Sequence, residues 1–562
     1  MKFSELPYKR PELEIIFTQF DKFAQDFKSA TTFEEQLNVF KEIEKINCEI
    51  STMESLSNTR YTIDTSDAFY QEEKAFFDEN LPVLAEKMLV IEKLIFASEF
   101  IEEFKKELGE VYIKNIELTL KSFSKEVVEL VKEENALASE YQTLYASATV
   151  EFDGKTMPLP MLGKYQESLD RNVRTAAFHA QADFFDEHQT EFDDIFDKMV
   201  KNRTKQAKVL GYDNFIEVGY ARMSRNCYDA KDIANFRKQI IEDVVPLVSK
   251  IKANQAKRIG LDKIAIQDDK FLFTDGNPTP KGSYDYQMEC TQKMYHELST
   301  ETAEFIDIMF EKELMDLVSK DGKAPGGYCT GFSKYKVPFI FSNFNGTSGD
   351  VDVLTHEAGH AFAYYMAMQN IPYSHLQSPS SEACEVHSMS MEVLTAPWHE
   401  LFFKEDTAKY TLAHTENDLS FLPYGTMVDN FQEIIYANPD LTPKERNEVW
   451  NKLEKTFRPH INFEGDNFYA RGALWQRQLH IYMCPFYYID YVLASTVALQ
   501  IEALSIENKE KAWEVYMNYT KLGGTKTFIE LVESAGLTSP IKDGCLKNIC
   551  EKMSAHIDTL KV

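Results

Sequence analysis

Between Pro11 and about Tyr145, apolar side chains return every three or four positions. Ile15, Ile16, Phe20, Phe23 and Phe27 form one such series, and Phe33, Leu37, Phe40 and Ile43 form the next. This is the spacing of one buried face on an α-helix. Leu81 to Ile101 and Val111 to Leu137 continue it with Glu and Lys on the outer positions, where pairs one turn apart give slight support. A strict heptad does not persist, so the pattern predicts packed amphipathic helices in preference to a coiled coil. The series stops at Ser147. There ATVEFDGKTMPLPML sets Asp153-Gly154 between β-prone flanks, which predicts a hairpin near 147–160. Helical spacing resumes from Tyr165 to Leu210 and meets a glycine stop at Gly211. These breaks divide the chain into a helical N-terminal region, 1–200, and a second region, 201–562.

Within the second region, glycines and prolines crowd the stretch from Lys320 to Ser348. KYKVPFIFSNFNGTSG reads as a strand from Val337 to Phe344 followed by a turn at Asn345-Gly346. An apolar run follows, VDVLTHEAGHAFAYYMAM, in which His356, Glu357 and His360 spell H-E-x-x-H. On a helix the two histidines share one face and can offer two imidazole nitrogens to one ion, with Glu357 beside them to handle a proton. Zinc held in this way keeps an open position for water and lowers that water's pKa to about 7. Two histidines packed in a core without metal are the bland alternative, so a third ligand decides the matter.

The next helix-like segment, SSEACEVHSMSMEVL, supplies candidates in Glu382, Glu385, His387 and Glu392. Glu385 and Glu392 lie two turns apart on one face, which suits a metal-binding carboxylate and a second carboxylate that braces the site. Glu385 is therefore the expected ligand, and His387 points elsewhere when Glu385 points in. Asp352 precedes His356 by one turn and is placed to accept the free imidazole N–H of a ligating histidine, or to offset the helix dipole. Cys384 should flank the metal face without joining it. The longer pattern H-E-x-x-H-x-x-G-x-x-H is absent, because Ala363 and Met366 occupy its last two key positions.

Composition narrows the partners. With 90 acidic against 61 basic residues the formal charge is −29, which disfavours nucleic acid and anionic membrane surfaces. The N-terminal MKFSELPYKRPELEIIF lacks the apolar core of a signal peptide, and no uninterrupted apolar run is long enough to suggest a membrane span. Eight scattered cysteines form no C-x-x-C pair. A reduced, cytoplasmic protein is expected, and nothing in the sequence sets an oligomeric state.

FNGTSGDVDVLTHEAGHAF, followed by CEVHSMSME, resembles the zinc metallopeptidase family of thimet oligopeptidase and oligoendopeptidase F, the oligoendopeptidase F branch in particular. The resemblance runs from about Val150 through the C-terminal region. It implies a mainly α, two-lobed body with a deep substrate channel and a small β-sheet beside the zinc helix. It also implies one zinc ion per chain on His356, His360 and Glu385, with oligopeptides as substrates. In LWQRQLHIYMCPFYYIDYVLAS it implies that His480 and one or both of Tyr488 and Tyr491 stabilise the oxyanion. The thimet oligopeptidase branch has a glycine-rich loop between that histidine and the tyrosines. Here Tyr482, Met483, Cys484 and Pro485 intervene, which leaves the choice of tyrosine open. The strand before the zinc helix is expected to present an exposed edge to the substrate backbone, with Phe339, Phe341, Asn343 and Gly346 as binding residues. A helical zinc carboxypeptidase and a non-catalytic peptide-binding scaffold are the alternatives to an endopeptidase.

Overall fold

The computed structural model describes residues 1–320, 322–463, 465 and 467–562. Helices dominate, as the spacing predicts. The N-terminal series forms Leu13–Ser29, Phe33–Ile63, Ala68–Phe96, Ile101–Leu108, Glu110–Ser122 and Val128–Ala146. Their starts follow local chemistry. Thr32 accepts the Glu35 N–H while Glu35 reaches back to the Thr32 N–H, and the Asp67 carboxylate accepts from Phe69 and Tyr70, each satisfying donors that a helix leaves orphaned.

The chain forms two compact units, each assembled from three separate stretches. One comprises Met1–Leu120, Thr279–Thr407 and Val497–Leu537; the other comprises Lys121–Pro278, Ala408–Thr496 and Thr538–Val562. Lys201, the sequence-derived division point, lies inside the helix Gln189–Val209.

In the second unit, β1 (Thr149–Phe152) pairs antiparallel with β2 (Lys155–Pro158). Asp153 and Gly154 both take positive φ in the two-residue turn between them, the geometry that Asp-Gly favours. The helix Tyr488–Glu507 begins in this unit, and its residues from Val497 on belong to the first. By length and composition this helix would suffice to cross a membrane, but 72% of its apolar window is buried inside the protein, as befits a core helix.

In the first unit, β3 (Met315–Val318), β4 (Tyr328–Phe332) and β5 (Val337–Phe344) form one sheet in the order β3-β5-β4. The strand Val337–Phe344 is thus central. It pairs parallel with β3 and antiparallel with β4, and it offers no free edge. The expectation of an exposed substrate-binding edge there is overturned. Val337 to Ser342 are buried without interruption, the signature of a strand covered on both faces rather than one facing solvent. Pro338, which lacks an N–H, stands opposite Gly331 of β4, ahead of the point where β3 joins at Ile340. A helix, Gly349–Asn370, packs against both β4 and β5.

Candidate active site

Helix Gly349–Asn370 carries the H-E-x-x-H residues, and its start is fixed by the turn that the sequence predicts. Gly346 takes φ +87°, and the Asp350 carboxylate accepts the N–H groups of Asn345 (2.8 Å) and Gly346 (2.7 Å). The strand end and the helix start are thereby tied together. Gly346 and Asn343 both serve this local architecture. The Asn343 amide donates to the carbonyls of Ala324 and Gly326, both at 2.8 Å. Phe339 and Phe341 are core residues, 1% and 0% exposed. Of the four residues expected to bind substrate, these two are therefore structural, whereas Asn343 is half-buried and Gly346 exposed.

A second helix, Ser381–Leu394, crosses the first. Gly359, the fourth residue of HEAGH, makes the crossing close. A Cβ there would lie 2.6 Å from the His387 carbonyl oxygen, 2.7 Å from Ser388 Cα and 2.9 Å from Met391 Cβ. The crossing brings Glu385 Oε2 to 3.3 Å from His356 Nε2 and 3.4 Å from His360 Nε2. The ligand-capable atoms of His356, His360 and Glu385 all lie within 4.8 Å of one another. Helix Lys509–Thr520 steadies the second helix through hydrogen bonds from Tyr516 to the His387 carbonyl (3.2 Å) and from Tyr519 to the Ala383 carbonyl (3.1 Å).

The bracing carboxylate of His356 is Glu392, whose Oε1 lies 2.7 Å from Nδ1. Asp352, expected from sequence to brace a ligating histidine or to offset the helix dipole, sits half-buried one turn before His356. Glu392 lies two turns beyond Glu385 on the same face, so both carboxylates meet the same imidazole.

Electrostatics at this cluster favour a cation. Burial would lower the His356 pKa, yet hydrogen bonds to Glu385 and Glu392 carry it well above the ordinary imidazole value. Burial would raise Glu385, yet His356 and His360 hold it well below the usual carboxylate range. Two imidazoles facing two carboxylates therefore draw in positive charge, and a divalent ion with nitrogen and oxygen donors would supply it. The donor set fits zinc. Glu357 is 8% exposed and its pKa is raised, chiefly by burial. A Cβ on Gly327, just ahead of β4, would lie 3.8 Å from Glu357 Oε1, so the start of β4 borders this carboxylate. His387 is buried and held to about 3 by burial and by His360, which makes it a neutral packing imidazole beside Tyr519. The Cys384 thiol is pushed up to about 12 by burial and contacts Ser378 and the Pro379 carbonyl. It is a protonated, poor nucleophile at neutral pH.

The second unit gathers the other predicted residues. His480, on the short helix Leu479–Met483, has its ring centroid 5.0 Å from that of Tyr488 and 6.0 Å from that of Tyr491. The two tyrosines are 5.7 Å apart. The Tyr488 phenol is raised by burial, so it remains a donor at neutral pH. Two residues missed from sequence orient this group. Gln478 places its Nε2 2.9 Å from His480 Nδ1 and accepts from Tyr424 at 2.8 Å. Arg225, fully buried, donates to the Phe486 carbonyl and pairs with Asp490 at 2.9 Å. Phe486 itself takes φ +68°, so the turn leading to Tyr488 is held by side chains and not by glycine.

Residues 164–550 match the family described as Peptidase family M3, and residues 3–123 match the Peptidase M3 N-terminal domain. A solved structure of PZ peptidase A with an inhibitor superposes with a TM-score of 0.94 at 44% identity, with 100% of each chain covered. Oligoendopeptidase-F from Enterococcus faecium shares the fold at a TM-score of 0.64 and 15% identity, over 98% of both chains. An oligoendopeptidase F homolog of Lactococcus lactis is 22% identical over 549 residues, 90% of this chain and 85% of that protein.

Proposed function

The chain belongs to peptidase family M3, and from that premise we propose that it is a zinc-dependent endopeptidase hydrolysing internal bonds of short, unstructured oligopeptides. The observation that carries the reading is the convergence of His356, His360 and Glu385 within 4.8 Å, on one site with Glu392 behind His356 and Glu357 as the next residue along the helix. Zinc held by the three ligands would supply Lewis acidity to a peptide carbonyl and acidify a water molecule.

The chain's own residues do the rest. Glu357, a stronger proton acceptor for being buried, takes a proton from the attacking water and delivers it to the leaving amine nitrogen as the C–N bond breaks. Glu392 fixes the tautomer of His356 and raises its basicity as a ligand. His480, Tyr488 and Tyr491 are carried over from the family resemblance as donors to the developing oxyanion, a task that suits phenols kept protonated by burial. An extended substrate would add to β4, which takes a strand partner on one side only and begins beside Glu357.

Peptides blocked at both ends test the endopeptidase assignment. Cleavage at internal bonds, read by product masses, is the expected result. Cleavage confined to peptides with a free C-terminus, one residue at a time, would instead support the carboxypeptidase alternative.

A further inference from the structure

Arg477 stands apart in its own unit. Every other arginine there has a carboxylate oxygen within 4.0 Å: Arg203 and Arg222 share Glu134, Arg225 meets Asp490, Arg458 meets Glu454, and the remaining six are paired in the same way. Among the described residues Arg477 has none. Its guanidinium donates to the amide oxygen of Gln181 at 3.3 Å and otherwise faces the phenols of Tyr424, Tyr469 and Tyr145.

A second cation sits beside it. Gln181 Oε1 also accepts from Gln166 Nε2 at 3.3 Å, and Gln166 in turn accepts from Lys270 Nζ at 3.1 Å. Among the described residues Lys270 likewise has no carboxylate in contact; Glu167 and Asp269 act on it only from farther off, and Asp269 is taken by Lys252 at 2.7 Å. Arg477 acts on the Lys270 ammonium as a neighbouring like charge. Both side chains retain solvent access, Lys270 being exposed and Arg477 half-buried. In a chain of net charge −29, an unneutralised pair of this kind is a site awaiting an acidic group.

Its position ties it to the residues assigned to the reaction. Arg477 neighbours Tyr424, Tyr424 donates to Gln478, and Gln478 contacts His480. The Tyr424 and Tyr488 rings are 6.0 Å apart.

We propose that Arg477 and Lys270 form a carboxylate-binding subsite for the peptide substrate. A guanidinium reads a carboxylate through paired N–H donors, and an ammonium adds a point charge. Two parts of a peptide offer this chemistry, the C-terminal carboxylate and an Asp or Glu side chain. The inference rests on the peptidase reading for its substrate class.

The experiment uses matched peptide pairs. One pair differs only in a free-acid or amidated C-terminus; the other is amidated throughout and differs in Asp or Asn near the C-terminal end. kcat/KM is measured for the wild-type holoenzyme and for Arg477→Gln and Lys270→Gln, and binding of the same pairs is measured calorimetrically to Glu357→Gln alone and combined with Arg477→Gln. Each comparison is a ratio within one enzyme, so a folding defect cancels. A charge-assisted contact predicts a preference of about tenfold for the carboxylate member of at least one pair, expressed mainly in KM and falling towards one in Arg477→Gln. The pair that responds identifies the C-terminus or the side chain. Ratios near one in both pairs for the wild type, or a ratio undiminished by Arg477→Gln, would overturn the subsite. If turnover is absent while the binding preference persists, the endopeptidase reading fails and the subsite stands.

Discussion

Gly359→Ala adds one methyl group at the crossing of the two helices that carry the metal-site residues. The added Cβ would lie 2.6 Å from the His387 carbonyl oxygen and 2.7 Å from Ser388 Cα, where 3.4 Å begins ordinary contact. The neighbours are backbone atoms that cannot rotate away, so the helices must part by roughly 0.8 Å in a close-packed interior. Alanine in place of glycine favours the helix by about 1 kcal/mol, while overpacking of this kind costs about 1–3 kcal/mol. A net loss of about 1 kcal/mol lowers the melting temperature by about 1–2 °C for a chain of this length. The larger effect falls on chemistry, because Glu385 rides on the displaced helix and a misplacement of about 1 Å can cost on the order of a hundredfold in rate. Steady-state cleavage of a fluorogenic peptide at saturating zinc, beside thermal melting, measures both. A variant that melts above the wild type and cleaves within about twofold of it would refute the reasoning, since only the helix-propensity gain would then remain.

Two further predictions concern single carboxylates. Glu392→Gln keeps the shape of the partner at His356 Nδ1 but removes its charge, so zinc affinity should fall about 10–100-fold in a chelator competition; unchanged affinity would contradict the bracing role. Glu134, buried, would be raised by desolvation, but Arg203 and Arg222 hold it at about 2. Between its unfolded value and that folded value the unfolded chain binds a proton that the folded protein does not, so this contribution is full above about pH 4.5 and is lost as pH falls towards 2. It amounts to on the order of 3 kcal/mol, and Glu134→Gln should show a correspondingly smaller loss of stability between pH 5 and pH 3 in urea melts; an identical loss would contradict it.

Much of the site could be read from sequence because local spacing controls it. His356 and His360 lie one helical turn apart, Glu385 and Glu392 two turns apart, and each pair's shared face follows from helix geometry alone. The mainly α fold was legible for the same reason, and the flanks of the motif carried the family. What failed depends on neighbours distant in sequence. VPFIFSNF announces a strand, but its central place requires β3 from one side and β4 from the other, and only its unbroken apolar run hinted at burial on both faces. That Glu392 meets His356 Nδ1 depends on the packing of one helix against the other. The role of Gly359 rests on His387, Ser388 and Met391 across the crossing, which its own segment does not reveal. Arg477 carries no signal in its own segment, since what distinguishes it is the carboxylate it lacks in three dimensions.

The most direct test of the central claim is metal content measured together with turnover. The protein should hold one zinc ion per chain, lose cleavage of a doubly blocked peptide when the ion is stripped, and regain it on stoichiometric zinc. Glu357→Gln should retain the ion and remain inactive, because it removes the proton carrier and none of the three ligands. Full activity in the metal-stripped protein, or in metal-loaded Glu357→Gln, would contradict the account.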